Sequence, residues 1–317
     1  MFRSDRQQRS NFHLRQPPYC ESAMNTDATV NNIAQSPMQK QGKGLLVFPS
    51  LMIGIFFLMP FIMIVAVSFA HQLPEGYHEQ AFELKNYARF FRSTYIDIAI
   101  FSMLASAFVA FVCVVIGFPF TYFVTQLKRR HQVIWLVYIL AQLSLSEVLI
   151  AFGWQVLLSK TAGIGNILLW LGLVEKSFSL YPSLGAVLVA LVYLVLPFSF
   201  LLLYPTISRL DPEVTEASRT LGASPLKTFF LVVLPILRGP IVTTGITMFV
   251  FTLGAILIPQ VLGRPSHWTL SVHITDQAIF QSNLPFASAL AIYLLLFSMS
   301  LVLFTTWFNR RSGGVTA

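Results

Sequence analysis

The residues whose types and spacing best indicate a function lie between 211 and 235, in the stretch DPEVTEASRTLGASPLKTFFLVVLP. Asp211 can cap a helix, Pro212 suits the first helical position, and Glu213 favours the positive end of the helix dipole. Gly222 can end this helix in a left-handed turn. The chemistry indicated here is recognition by a short charged helix rather than bond making.

A second helix is predicted directly after the first one. Ser224 and Pro225 repeat the capping pattern, and Pro235 is expected to close the helix. Apolar runs flank the two helices on both sides. The pair is therefore either a contact site for a soluble partner or an ordinary loop that happens to be helical.

A single ionisable residue, Glu147, stands out within the apolar runs, in SLSEVLIAFGW. A carboxylate in a bilayer is costly and usually faces a cavity or a partner. Glu147 could form an acidic wall that attracts a cationic solute, or it could lie near a boundary, neutral or hydrogen-bonded to Ser144 or Ser146. Phe152 and Trp154 follow within two turns and could line the same path or simply pack.

The apolar run at 240–262 is interrupted by Gly254, Pro259 and Gly263. Because proline removes a donor and glycine permits close backbone approach, we expect a kink or an unwound segment here. Broken helices at membrane depth often border a substrate path, although tight helix packing explains the same residues. Asp276 lies in or near the loop that follows, where a gate could close or a soluble protein could dock.

The chain contains no Gly-x-x-x-x-Gly-Lys-Ser/Thr motif, so it cannot bind ATP by that route. Energy for any transport must therefore come from a partner or from an ion gradient. Cys20 lies in a polar tail and Cys113 in an apolar run, and no metal-type spacing of Cys and His is present. We expect a non-catalytic chain without a cofactor or a metal.

Composition places the protein in a bilayer, because 55% of the residues are hydrophobic and only 11% are charged, whereas soluble domains have about 25% charged residues. Backbone groups in lipid must be hydrogen-bonded within their segment, which favours helices. The predicted fold is an all-α membrane protein with six transmembrane helices, each long enough to cross about 30 Å of hydrocarbon. The runs are 45–69, 97–126, 133–158, 183–204, 240–262 and 286–308.

The predicted organisation has three parts. Residues 1–43 are polar and without periodicity, which indicates a disordered cytoplasmic arm. Met24 and Met38 are alternative starts to Met1, so the length of this arm is open. A transmembrane domain is expected over 44–309, with the helical hairpin at 206–238, followed by a short cytoplasmic tail at 310–317.

The distribution of basic residues predicts the orientation. With both termini inside, the inner segments hold fifteen of the 21 Lys and Arg residues and the outer segments hold six, which places the hairpin in the cytoplasm. The net charge of +8 is therefore a topology signal rather than a nucleic-acid site. The six outer residues are Lys85, Arg89, Arg92, Lys160, Lys176 and Arg264.

The hairpin resembles the EAA loop of ATP-binding-cassette importer permeases. The residues that carry the resemblance are Glu216, Ala217, Ser218, Gly222, Val232, Leu234 and Pro235. Ser218 replaces the second Ala of the motif and Val232 replaces an Ile. The resemblance implies a MetI-like type I importer permease fold in the bacterial inner membrane. It also implies that Glu216 anchors the first helix in a groove on an ATPase subunit and that Leu234 and Pro235 fix the hairpin to the fifth span.

Further segments are similar to spermidine/putrescine-type permeases, over residues 45–308. They include Gly153-Trp154, Leu196-Pro197-Phe198, Leu253-Gly254 to Pro259, and Leu284-Pro285-Phe286. This resemblance implies a polyamine or related cationic amine as solute, and relatives for opines, ferric iron and thiamine share the layout. The implied partners are ABC ATPase subunits, a second permease that is identical or related, and a periplasmic solute-binding protein.

Two other classes of protein are compatible with the spans. A gradient-driven secondary transporter typically shows two related halves and several charges within the membrane, and neither is evident here. A membrane scaffold would not need a capped charged helix. An associated ATPase separates the importer subunit from both alternatives.

Overall fold

Helices form nearly all of the regular structure in this computed structural model, which describes residues 38–73, 78–79, 82–161, 163–172, 176 and 178–312. The chain divides into two units between Met63 and Ile64. The first unit contributes residues 38–63, a single helical stretch that is apolar from Leu45 onward. The second unit, residues 64–312, contains the remaining helices and every site discussed below.

The helices follow the apolar runs of the sequence, joined by short turns. In chain order they are α1 (Met38–Ser68), α2 (Lys85–Phe90), α3 (Ser93–Thr125), α4 (Arg129–Leu143), α5 (Glu147–Leu157), α6 (Ile164–Trp170), α7 (Leu184–Ile207), α8 (Pro212–Thr220), α9 (Pro225–Ile236), α10 (Arg238–Leu253), α11 (Leu257–Leu262), α12 (Leu270–Thr275) and α13 (Leu284–Ser312). A 3-10 turn at Pro265–His267 precedes α12, and a π-helical turn at Asp276–Phe280 follows it.

Four of these helices are long and apolar enough to cross a bilayer by themselves, namely α1, α3, α7 and α13. Two further spans arise only if bent pairs of helices are each counted as one crossing. The pair α4 and α5 is bent by 91°, and the pair α9 and α10 by 73°. Among the described residues, length and composition therefore support four to six spans, with six requiring both bent pairs.

The third predicted span, 133–158, is not the continuous helix that its apolar composition suggested. The chain leaves α4 at Leu143 and starts α5 at Glu147, with Ser146 in an extended conformation (φ −65°, ψ 141°). The Ser146 hydroxyl accepts a hydrogen bond from the amide of Val148 at 3.3 Å, which caps α5. Serine favours caps over helix interiors because its hydroxyl competes for backbone groups, and this explains the bend.

The largest buried cluster lies where α3, α5, α7, α10 and α11 meet. Its fully buried members include Val109, Cys113, Ala151, Leu191, Val195, Met248 and Ile258. A second cluster joins the end of α9 to α3 and α7 through Phe118, Leu203, Ile207, Val233 and Leu237. Apolar packing thus fixes both the broken spans and the base of the hairpin to the long helices.

Two details differ from the sequence expectations. Residues His71–Gln72 (β1) and His78–Glu79 (β2) form a small antiparallel pair, so the described chain is not helical throughout. Helix α1 begins at Met38 and includes residues 38–43, which the sequence assigned to the polar arm. The rest of that arm, residues 1–37, and residues 313–317 of the tail lie outside the described part of the chain.

Candidate functional site: the capped hairpin and the broken spans

The hairpin begins with the cap that the sequence predicts. The Asp211 carboxylate accepts a hydrogen bond from the Glu213 amide at 2.9 Å, and Pro212 occupies the start of α8. This bond satisfies one of the amides that the first turn of a helix leaves without a partner. The carboxylates of Asp211 and Glu213 both lie at the positive end of the helix dipole.

The first hairpin helix ends in the left-handed turn expected at Gly222, which has a φ of +85°. The Gly222 amide donates to the Arg219 carbonyl at 2.9 Å, and the Ala223 amide donates to the Ser218 carbonyl at 3.1 Å. This pair of bonds is the Schellman arrangement, which requires a residue that tolerates positive φ. Nothing lies within 4 Å of a Cβ placed at residue 222, so a larger side chain would not clash there. Glycine is therefore needed at this position for its positive φ and not for its small size.

The second helix starts as predicted and ends later than predicted. The Ser224 hydroxyl accepts from the Lys227 amide at 3.4 Å, and Pro225 takes the first helical position. Pro235 does not close the helix, which continues to Ile236 and turns at Leu237.

The helix continues past Pro235 because residues Phe229–Val233 form a π-helical turn, in which the Leu234 amide donates to the carbonyl of Phe229. The wider turn accommodates Pro235, whose ring would otherwise clash with the carbonyl four residues before it.

The two hairpin helices are joined by side chains as well as by the turn. The hydroxyls of Ser218 and Thr228 lie 2.9 Å apart, and Thr228 is buried. Ser218 thus faces the second helix, whereas Glu216 and Ala217 are exposed. Leu234 packs on the buried cluster at the hairpin base, and Pro235 is exposed.

Large apolar side chains are exposed on the hairpin. Leu221 is 90% exposed, and Leu226, Leu231 and Phe230 are 71%, 72% and 58% exposed. Exposed apolar patches bordered by polar residues mark interaction sites. Leu221, at the turn, lies beside the exposed Glu216 and Ala217, whereas Phe230 and Leu231 lie in the part of α9 that can enter the membrane with α10.

Glu147 has a partner that the sequence did not suggest. Its Oε1 atom accepts a hydrogen bond from the backbone amide of Leu257 at 3.2 Å, across 110 positions of sequence. Ser144 instead donates to the Leu140 carbonyl and Ser146 caps its own helix, so the expected bond to either serine is not formed. Glu147 is half-buried and joins the break in the third span to the break in the fifth.

The break in the fifth span occurs where Gly254 and Pro259 predicted an interruption. Helix α10 ends at Leu253 and α11 begins at Leu257. Hydroxyls from the following segment take up the freed carbonyls: Ser271 donates to Leu253 and Thr269 donates to Ala255. Buried backbone groups need such partners, so the interruption is a hydrogen-bonded structure rather than a frayed end.

The remaining pathway candidates are not brought together at one point. Trp154 packs edge-on against Tyr193, with ring centroids 5.7 Å apart, and both line a groove of about 350 Å³ along α5. Phe152 is exposed and is not among the residues that line this groove. Pro259 is buried within α11, and Gly254 is exposed at the break. Asp276 is half-buried and accepts a hydrogen bond from Gln281 at 2.7 Å.

Sequence reasoning missed three polar residues whose hydroxyls bond backbone groups around the break in the fifth span, namely Ser102, Thr269 and Ser271. Ser102 accepts the amide of Leu270 at 2.7 Å and so positions α12 beside α3. Single hydroxyl residues in apolar runs carry no recognisable spacing. Their signal is only that small polar residues in spans tend to face other helices.

The bent spans, the capped hairpin and the apolar surface define a multi-pass helical membrane subunit with a docking element. The family profile described as the inner membrane component of binding-protein-dependent transport systems matches residues 126–313, more than half of the chain. The chain belongs to this family. It is a non-catalytic inner-membrane permease subunit of an ABC importer, and its partners are an ATPase and a periplasmic binding protein.

Individual relatives agree with this assignment. The spermidine/putrescine transport system permease protein PotB of Escherichia coli (strain K12) is 26% identical over 257 residues, 81% of this chain and 93% of that protein. PotB of Haemophilus influenzae is 26% identical over 249 residues, 78% and 87% of the two chains. The ferric transport system permease protein FbpB of Actinobacillus pleuropneumoniae is 26% identical over 215 residues, but only 31% of its length is covered.

Solved structures confirm the fold. A crystal structure of a bacterial alginate ABC transporter, in complex with alginate pentasaccharide-bound periplasmic protein, contains a chain with a TM-score of 0.69 and 15% identity, over 88% of this chain and 97% of that chain. A second structure, of an alginate-importing ABC transporter, gives a TM-score of 0.67 and 17% identity, with 90% and 100% coverage. The MetI-like importer permease fold expected from the hairpin is therefore confirmed.

Proposed function

We propose that this chain and a second permease subunit, identical or related, form the pathway for importing a polyamine such as spermidine or putrescine, or a related cationic amine. The observation that carries this proposal is the similarity to PotB over most of both chains. A core of at most six spans is too small to enclose a pathway alone, which is why a second permease belongs to the proposal.

The coupling hairpin, residues 206–238, is proposed as the element that receives force from the ATPase. Glu216 and Ala217 are exposed for contact, and the caps at Asp211 and Ser224 make the helices rigid. Ser218 stabilises the pair from within through Thr228.

The hairpin also has a rigid route into the membrane. Val233 and Leu237 are buried in the cluster that contains Phe118, so movement of the hairpin reaches α3 and α7 through packed side chains. Leu234 packs on the same cluster, and the turn at Gly222 keeps the two helices of the hairpin side by side.

The solute pathway is proposed to pass the broken spans. Glu147 and Trp154 on α5, with Phe152 on the same helix, supply the carboxylate and the aromatic rings that suit an organic cation. Gly254 and Pro259 permit the break beside them, and Asp276 lies in the segment beyond it.

Both termini are proposed to be cytoplasmic, as the basic residues indicate. Membrane-impermeant thiol labelling of a Thr220→Cys variant in intact and in permeabilised cells tests this, in a background with Cys20→Ser and Cys113→Ala. We expect labelling only after permeabilisation. Labelling of intact cells would place the hairpin outside, where no ATPase can reach it.

Reconstituted uptake tests the solute. The complex of this permease, its partner permease, the ATPase and the binding protein is placed in liposomes with ATP inside, and uptake of labelled spermidine is followed with and without vanadate. We expect vanadate-sensitive uptake that putrescine inhibits.

Two other outcomes of the same assay would count against the proposal. ATP-driven uptake of ferric iron, an opine or thiamine, but not of amines, would replace the solute and leave the permease assignment intact. Uptake driven by a proton gradient without ATP would contradict the importer mechanism itself. The ligand captured by the binding protein alone provides an independent check of the solute.

A further inference from the structure

An apolar surface outside the hairpin and the broken spans surrounds α6, in the outer loop between α5 and α7. Trp170 is 86% exposed, and Leu171, Ile167, Leu180 and Phe178 are 56%, 53%, 43% and 38% exposed. These five side chains belong to two neighbouring stretches, 164–171 and 178–180. They form the surface that we call the outer anchor.

The outer anchor is held rigidly at its base. A Cβ on Gly163 would collide with the carbonyl of Leu157, and one on Gly165 with the carbonyl of Phe178, so the start of α6 lies directly on the backbone beneath it. The Leu180 amide donates to the Leu158 carbonyl at 3.1 Å, which ties the second stretch to the end of α5. The exposed side chains therefore belong to a fixed surface.

The charge pattern around the outer anchor points to one kind of partner. No charged residue occurs between Gly163 and Gly172, the exposed Lys160 and Lys176 lie on either side, and Glu175 precedes Lys176, which leaves the flanks with a net charge of +1. Tryptophan and short apolar helices with basic flanks are favoured at the boundary between lipid headgroups and acyl chains. Lysines reach anionic headgroups from such positions, since their long apolar stems can lie along the surface.

We infer that the outer anchor lies in the phospholipid headgroup region of the outer leaflet, with Trp170 at the acyl boundary. The location of the outer anchor in the chain supports this inference, because the anchor follows α5 directly and precedes α7. The Ser183 amide at the start of α7 also donates to the Leu262 carbonyl at the end of α11. The surface thus adjoins the ends of three membrane elements. The inference rests on the proposed cytoplasmic location of both termini, which places this loop outside, and not on the identity of the solute.

A soluble protein partner fits this surface less well. Protein interfaces have a polar rim that forms about one hydrogen bond per 100–200 Å². Asn166 is the polar side chain that α6 presents. A bilayer needs no individual hydrogen-bond partner for Trp170 and the apolar side chains, and Lys160 can reach its phosphates.

Spin-label accessibility tests the inference on the assembled complex. Trp170→Cys is made in a chain with Cys20→Ser and Cys113→Ala, labelled with a nitroxide, and reconstituted in vesicles of phosphatidylethanolamine and phosphatidylglycerol. Collisions with oxygen, which concentrates in lipid, are compared with collisions with a water-soluble nickel chelate. Glu79→Cys, at an exposed position outside the outer anchor, serves as the water-side control, and the complex without either cysteine gives the background.

The expected result is an oxygen-to-nickel collision ratio several-fold higher at Trp170 than at Glu79, and unchanged when the binding protein is added. A ratio at Trp170 equal to that at Glu79 would show a surface in water and overturn the inference. Protection of Trp170 from both reagents would show a protein partner and overturn it as well. Ile167→Cys repeats the measurement at a second exposed position, should the Trp170 variant assemble poorly.

Discussion

Gly222 offers the sharpest test of the coupling hairpin. At a φ of +85° an L-residue is strained, and the space around the missing Cβ is empty, so a substitution there costs backbone strain and nothing else. That strain is about 1–2 kcal/mol, which lowers the ratio of formed to unformed hairpin by a factor of about 5–30. We expect Gly222→Val to insert and assemble but to lose most ATP-driven uptake, with Gly222→Asn closer to the parent protein because asparagine tolerates positive φ.

Gly172 provides a matched control for this experiment. It has a φ of +72°, also with nothing within 4 Å, but it lies between α6 and α7, away from the hairpin in the sequence. Gly172→Val therefore imposes similar strain without touching the hairpin, and we expect the ATPase to copurify normally with this variant. Measurements of uptake and of ATPase copurification on both variants separate local strain from loss of coupling. Full-rate uptake and normal ATPase retention by Gly222→Val would refute the reasoning.

Three further predictions concern single hydrogen bonds. Glu147→Gln retains an acceptor for the Leu257 amide and should keep the thermal stability of the complex. Glu147→Leu should lower the free energy of unfolding by about 1–3 kcal/mol. An equal melting temperature for both variants would contradict a stabilising role of the bond from the Leu257 amide to Glu147. If the charge also attracts the solute, Glu147→Gln should raise the KM for spermidine uptake. Ser218→Ala and Thr228→Val should be non-additive, with a coupling of about 0.5–1.5 kcal/mol in a double-mutant cycle read by hydrogen exchange of the hairpin; additive losses would mean that the two hydroxyls act independently. Asp211→Ala should weaken the hairpin by about 1 kcal/mol, and Asp211→Asn should largely restore it, since asparagine caps as well as aspartate; exchange rates unchanged in Asp211→Ala would show that this cap is dispensable.

The hairpin was readable from the sequence because its signals are local. Asp211, Ser224 and Gly222 act on backbone groups within a few residues of themselves, and the structure shows all three in the expected roles. Composition likewise located four of the predicted spans as single long apolar helices, whereas the count of six depends on whether each bent pair is one crossing. The roles of Glu216 and Ala217 in ATPase contact stay predictions.

Longer-range features were not accessible from the sequence. At the bend between α4 and α5 the Ser146 hydroxyl accepts the Val148 amide, and no proline or glycine marks the position in the sequence. The bond from Glu147 to Leu257 joins residues 110 positions apart, so no local pattern indicates it. The helix end predicted at Pro235 was wrong because a π-helical turn removes the clash between the proline ring and the preceding turn. Formation of this π-helical turn depends on the packing of Val233.

The Schellman turn and the two side-chain caps have a kinetic consequence for assembly. A flexible loop of this length would lose about 1–2 kcal/mol of conformational entropy for each residue ordered when a partner arrives. The hairpin is already ordered by bonds within itself, at Asp211, at Ser224 and between Ser218 and Thr228. A protein that binds the hairpin therefore contacts a surface that is already ordered, and the encounter complex needs no folding step before the stable complex forms.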